Sequence, residues 1–199
     1  MFKPHWRQFP RHYIDLETTG LDPAIHEIIE IAIITESHSG EMSRFSMRVH
    51  PAHLETADPK SLEINGYDPE VWEGAPCFSE IADRIAKILK YGVIIGHNVQ
   101  FDYSFLKAAL KKCGDPWITF RKMDTQMMAL EHLPDSRVSM RALRDFFGWS
   151  HEGEHTAVKD AEDCLRLFRL FYRCPGWRRV LWWLRWRWRE RRAIKKARS

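Results

Sequence analysis

The segment YIDLETTG, residues 13–20, places two acids inside a run that otherwise reads as a buried strand. Tyr13, Ile14 and Leu16 have the bulky or β-branched character of strand residues. Side chains alternate along a strand, so Asp15 and Glu17 leave the same face two residues apart. Carboxylates held that close repel each other and are costly to desolvate unless positive charge stands between them. Whatever fold this strand enters must supply that charge.

The rest of the chain reads as an α/β domain. GLDP (20–23) is a turn, IIEIAIIT (28–35) a second strand, and SRFSMRVH (43–50) a third, antiparallel one. The stretch 51–76 is rich in turns, with a short helix near Lys60–Asn65. The 77–92 segment carries Ile81, Ile85, Ile88 and Leu89 as a helical stripe closed by Gly92, and VIIGHN (93–98) is a short buried strand. Helices follow over 101–114, 123–133, 139–148 (opened by a serine cap) and 157–173. The last presents Ala161, Leu165, Phe168 and Tyr172 on one side. Strands first, then alternating strands and helices, imply a mixed sheet.

Further acids gather at the ends of these elements. GHNVQFD puts Asp102 in the first turn of a helix, and GEHTAVKD puts His155 in a loop with Asp160 near the start of the longest helix. Singly, Asp102 or Asp160 is equally well explained as a helix cap. Together with Asp15 and Glu17 they make four carboxylates and one imidazole on rigid supports around a crevice. Bare anions in that arrangement are unstable, and two divalent cations would neutralise them. An all-oxygen donor set selects Mg²⁺ or Mn²⁺ over zinc. Paired ions of this kind serve in-line phosphoryl displacement.

DLETTGLD, HNVQFD and HTAVKDAED, in that order, resemble the three motifs of the DEDDh group of DnaQ-like 3′–5′ exonucleases. That family includes the proofreading epsilon subunit of bacterial DNA polymerase III. The resemblance runs from about Arg11 to Arg173 and takes in EIIEIAII, EINGYDPEVWEGAPCFSEI and MDTQMMAL. It implies a ribonuclease H-like fold, a five-stranded mixed sheet flanked by helices. Asp15, Glu17, Asp102 and Asp160 would be the metal ligands, and His155 the general base that deprotonates water. His155 lies five residues before Asp160, and Thr156 stands where the sister group has a tyrosine. An unperturbed imidazole titrates near pH ~6.5, which suits a base at neutral pH.

The family also implies that Thr18 and Leu21 approach the terminal nucleotide and that His97, Asn98 and Phe101 shape the pocket or contact the strand. His97, leaving a buried strand, is more simply a satisfied structural group. Asp124 and Thr125 fit the family pattern and equally a helix start. Lys159 and Asp163 read as solvent-facing, and Glu30, mid-strand in an apolar run, reads as a sheet-edge group or one that supports the site, with no catalytic role assigned to it.

The implied activity is metal-dependent release of nucleoside 5′-monophosphates from the 3′ end of nucleic acid, in proofreading or repair, with single-stranded DNA favoured. An exoribonuclease is the alternative, as is a nuclease-like module that binds a polymerase or nucleic acid through its basic tail. That tail is the second constraint. Residues 176–199 carry ten Lys or Arg, the single acid Glu190 and five of the nine tryptophans, whereas residues 1–175 hold 21 basic and 26 acidic residues. A mildly acidic exonuclease domain (1–175) thus bears a basic, Trp-rich helical tail (176–199), which points to an anionic partner. Trp177, Val180, Leu181, Leu184 and Trp188 form one helical stripe, and Trp182 and Trp186 a second line. Single-stranded nucleic acid, a polymerase or other replication protein, and an anionic membrane surface all suit this composition.

No apolar run reaches the roughly 20 residues of a membrane span. The start has no secretory signal, and Cys77, Cys113, Cys164 and Cys174 show neither C-x-x-C nor zinc spacing, so a cytoplasmic protein with reduced thiols is expected.

Overall fold

The computed structural model describes residues 8–114, 118–133 and 138–172. The expectations for residues 176–199 therefore lie outside the described residues. The sheet is built from β1 (Arg11–Thr18), β2 (Ile28–Glu36), β3 (Met42–Arg48), β4 (Val93–Gly96) and β5 (Lys122–Asp124). Its order is β3-β2-β1-β4-β5, with the first three strands antiparallel and β4 and β5 parallel to β1. The helices are α1 (Pro59–Ile64), α2 (Pro69–Trp72), α3 (Phe78–Leu89), α4 (Val99–Lys112), α5 (Thr125–His132), α6 (Met140–Phe147) and α7 (Ala157–Tyr172). This is the five-stranded mixed sheet flanked by helices that the family resemblance implies.

The alternation of β1 decides which side of the sheet receives the acids. Ile14 and Leu16, with Ile31, Ile33 and Ile94, pack under Ile81, Ile85 and Leu89 of α3 and Phe105, Leu106 and Leu110 of α4. On the other face Tyr13, Ala32, Ile34, Val93 and Ile95 pack under Ala157, Ala161, Cys164, Leu165 and Phe168 of α7. Asp15 and Glu17 share the parity of Tyr13 and lie on the α7 face. The α7 helix has a second apolar side, where Leu167 and Phe171 meet Ala129 and Leu133 of the α5 segment and Leu143 of α6.

Two local expectations need correction. The segment expected to be helical from 123 opens instead as β5, because Lys122, Met123 and Asp124 pair with Ile94, Ile95 and Gly96, and the helix begins at Thr125. Three strand residues are too few to show a period of two. Asp163, expected to face solvent, is fully buried on α7. Lys159 lies beside it with its ammonium 3.1 Å from the Asp163 carboxylate.

Asp124 acts as the cap of two helices. Its carboxylate accepts from the amides of Gln126 (2.8 Å) and Met127 (3.4 Å) at the start of α5, and from those of Asn98 and Val99 (3.1 Å each) at the start of α4. Helix capping thus accounts for Asp124, and it fixes the helix that carries Asp102.

Candidate active site

Asp15 and Glu17 project from the end of β1, where the pairing with β2 goes out of step between Glu17 and Thr18. Such irregularities re-aim side chains at strand ends. Asp160 comes from the first turn of α7, and one carboxylate oxygen from each of Asp15, Glu17 and Asp160 lies within 4.8 Å of the others. Asp102, buried in the first turn of α4, accepts the Leu16 amide of β1 and couples electrostatically to Asp15, Glu17 and Asp160. Asp15, Glu17 and Asp160 thus converge at the end of β1, with Asp102 near enough to act on Asp15 and Glu17 electrostatically.

The electrostatics are those of a cluster lacking its counter-charge. Burial, then Asp102, Asp160 and Glu17, hold the Asp15 carboxyl well above the usual carboxylate range. Burial and then Asp160 push Glu17 up to about 8, and burial brings Asp102 to about 8 against the amides that favour its charged form. Burial also raises Asp160, opposed by Arg144. Strong mutual perturbation among groups in one cleft is a mark of function. The donor set is all carboxylate oxygen, close enough to share a hard divalent cation and destabilised without one, so the residues fit the metal that the motifs imply.

His155 lies in the loop before α7 with a left-handed backbone (φ 65°), its side chain 48% exposed and Nε2 3.9 Å from Glu154 Oε1. It is near enough to Asp160 to favour the charged form of that carboxyl. Leu21 is 76% exposed on the loop after β1. Phe101 is half-buried with its ring 4.8 Å from that of Phe105, and Asn98 is exposed at the start of α4 with a left-handed backbone. Thr18 is buried and its hydroxyl donates to the Gly20 carbonyl oxygen (2.7 Å), which shapes the turn leading to Leu21.

His97 is a different case. Its Nε2 donates to the Val138 carbonyl oxygen (2.7 Å) and its Nδ1 pairs with the Thr125 hydroxyl (3.1 Å), so both ring nitrogens are engaged inside the protein. Burial lowers its basicity. His97 joins β4, α5 and the approach to α6, and its ring has no polar atom left for a substrate.

Three further charged residues belong to this region. Glu30, opposite Glu17 on β2, accepts the Ala157 amide at the start of α7. Arg144 of α6 is 1% exposed, forms a close ion pair with Asp160, and meets Asp163 at 2.8 Å. Glu154, next to His155, forms an ion pair with Arg144 at 3.5 Å and a hydrogen bond with His151 at 3.0 Å. Charged residues inside strongly amphipathic or polar segments carry no sequence signal that separates these from surface charges.

A mixed sheet with helices on both faces and a carboxylate cluster at the end of its central strand defines a ribonuclease H-like nuclease architecture. An exonuclease family profile (RNase_T) matches residues 13–168. The chain belongs to this exonuclease family, in its DnaQ-like branch of 3′–5′ exonucleases. It is 32% identical over 159 residues to DNA polymerase III subunit epsilon of Treponema pallidum, covering 77% of this chain and 72% of that one. It is 29% identical over 155 residues to the 3′-5′ exonuclease DinG of Staphylococcus epidermidis, covering 77% of this chain and 17% of that one. The zinc-bound complex of E. coli exonuclease I with single-stranded DNA superposes with a TM-score of 0.72 at 20% identity, over 82% of this chain and 40% of that one, which shows the shared fold.

Proposed function

We propose that the chain removes nucleotides from the 3′ end of DNA as nucleoside 5′-monophosphates, with Asp15, Glu17, Asp102 and Asp160 as metal ligands and His155 as general base. The convergence of the Asp15, Glu17 and Asp160 oxygens within 4.8 Å is the observation that carries this reading. These four carboxylates would hold two divalent ions, Mg²⁺ or Mn²⁺, which when bound supply Lewis acidity and charge neutralisation to the reacting phosphodiester.

The side chains do the rest. A ring nitrogen of neutral His155 accepts the proton of the attacking water, from a loop beside Asp160. Leu21 and Phe101 offer apolar surface to the terminal base, and the exposed Asn98 offers an amide to the strand. The Thr18 hydroxyl, committed to Gly20, holds the loop that presents Leu21. Burial of Asp102 and the helix caps of Asp124 keep the carboxylates in place before substrate arrives. Relatives named as polymerase III subunits, and the basic Trp-rich segment 176–199, support proofreading beside a polymerase.

The test offers 3′-labelled single-stranded DNA and RNA oligomers to the purified chain with Mg²⁺, Mn²⁺ or chelator. Stepwise loss of nucleotides from the labelled end of DNA, abolished by chelator and by Asp15→Asn, is the expected result. Undiminished digestion by Asp15→Asn protein would sink the assignment, and faster digestion of RNA would move the substrate to the alternative class.

A further inference from the structure

Arg144 is the largest fully buried side chain among the described residues, and it is a cation. Burying a guanidinium costs several kcal/mol unless its donors are well matched. Here the matching spans two pieces of the site. Nε donates to Asp163 Oδ2 (2.8 Å), Nη2 pairs with Asp160 Oδ1, and Nη1 reaches Glu154 Oε1 at 3.5 Å. Asp163 does not need Arg144 for neutralisation, because Lys159 and Arg166 each approach it at 3.1 Å. Among the described residues, Arg144 is the group that joins Asp160, on α7, to Glu154, in the preceding loop.

Both attachments bear on the proposed chemistry. The bond to Oδ1 holds the Asp160 carboxylate in one orientation. Glu154 precedes His155, whose left-handed backbone (φ 65°) is strained for a residue with a Cβ. Strain of that kind persists only where neighbouring contacts over-determine it. Glu154 supplies them, held by Arg144, by His151 at 3.0 Å and by the exposed Arg141 at 3.8 Å. His151 is tied in turn to Asp145 of α6 at 2.9 Å.

We propose that Arg144 is a positioning residue that locks the Asp160 carboxylate and the His155 loop into one unit. The inference rests on the exonuclease reading for its kinetic consequence, but its effect on cation binding is independent of turnover. A planar five-donor fork can span the two carboxylates, whereas a lysine can satisfy only one of them at a time.

The test compares Arg144→Met, Arg144→Lys and the double variant Arg144→Met/Asp163→Asn. The double variant removes the buried Asp163 carboxylate oxygen that the Arg144 Nε hydrogen bond satisfies, and so limits the loss of stability. Loss of a group that orients a metal ligand costs roughly ten- to a hundredfold in activity or metal affinity. Accordingly kcat on a 3′-labelled oligomer falls by that factor in Arg144→Met while KM stays within about threefold. Mn²⁺ affinity, measured by titration calorimetry without nucleic acid, falls with it. Arg144→Lys regains part of kcat, and the double variant regains thermal stability without regaining kcat. A double variant with wild-type melting temperature, wild-type Mn²⁺ affinity and kcat within about threefold would overturn the proposal. Because the Mn²⁺ titration needs no turnover, failure of this inference and failure of the exonuclease reading give different results.

Discussion

One face of β1 carries two carboxylate sites that the protein treats in opposite ways. Near the start of the strand, Glu36 of β2 receives the Tyr13 hydroxyl (3.0 Å), the Arg11 guanidinium (3.0 Å) and, from α7, Arg169 at 3.6 Å. Burial works against its charge, but these donors hold its carboxyl below the ordinary glutamate range. Near the end of the strand, Asp15 and Glu17 face Asp160 and Asp102, and their carboxyls are driven upward. The first site is finished by the protein and clamps α7 to the sheet. The second is left short of positive charge, and that shortage is its capacity to bind cations.

Neutralising one carboxylate at each site should separate these roles most sharply. Asp15→Asn should cost roughly three orders of magnitude in kcat, as for groups that act as a unit, without lowering the melting temperature of the metal-free protein. Glu36→Gln should do the reverse, leaving kcat within about twofold and losing about 1–3 kcal/mol by denaturant melts. Parallel loss of stability and activity in both variants would dissolve the contrast.

Next in size is the response to pH and metal. For Glu17 and Asp102, whose folded values of about 8 exceed their ordinary ones, the unfolded chain binds fewer protons in that window, so stability falls as pH rises towards 8. For Glu36, whose folded value is depressed, the contribution is present above its ordinary value and lost as pH falls through the lower one. Excess Mg²⁺ should therefore raise the melting temperature of chelator-stripped protein more at about pH 8 than at about pH 5.5. An equal shift at both would show that the acidic cluster is not where the ion binds. Glu36→Gln should leave that Mg²⁺ shift unchanged.

The smallest expected effect belongs to the exposed rim. Leu21→Ala should change stability by less than about 0.5 kcal/mol, because the side chain is in solvent. It should raise KM for a DNA oligomer a few-fold, measured on the 3′-labelled substrate. No change in KM would remove Leu21 from the substrate surface.

Much of this was legible before any coordinates. Tyr13, Ile14 and Leu16 around two acids mark a strand by their own alternation, and α3 and α7 announce their core faces through Ile85, Leu89, Ala161 and Phe168. Ser139 and Gly148 bracket α6 as a serine cap and a left-handed stop. Asp15 and Glu17 stood out because an acid in an apolar strand has few structural uses, whereas Asp102 and Asp160, each explicable as a cap, stood out only through the motif resemblance. β5 was hidden, since three residues borrow their strand identity from β4. The anchoring of His97 was hidden because its two partners, Thr125 and Val138, come from far along the chain.

Arg141 and Arg144 mark the boundary between the two kinds of knowledge. They lie three residues apart on one helix, chemically identical, yet the side chain of one is 71% exposed and that of the other 1%. Sequence by itself determined the sheet's central strand, the acids at its end and their need for cations, because alternation and charge repulsion are local properties. Only the tertiary structure decided which arginine enters the core, because that depends on how α6 is rolled against α7. Desolvating a guanidinium is tolerable only where Asp160, Asp163 and Glu154 already converge.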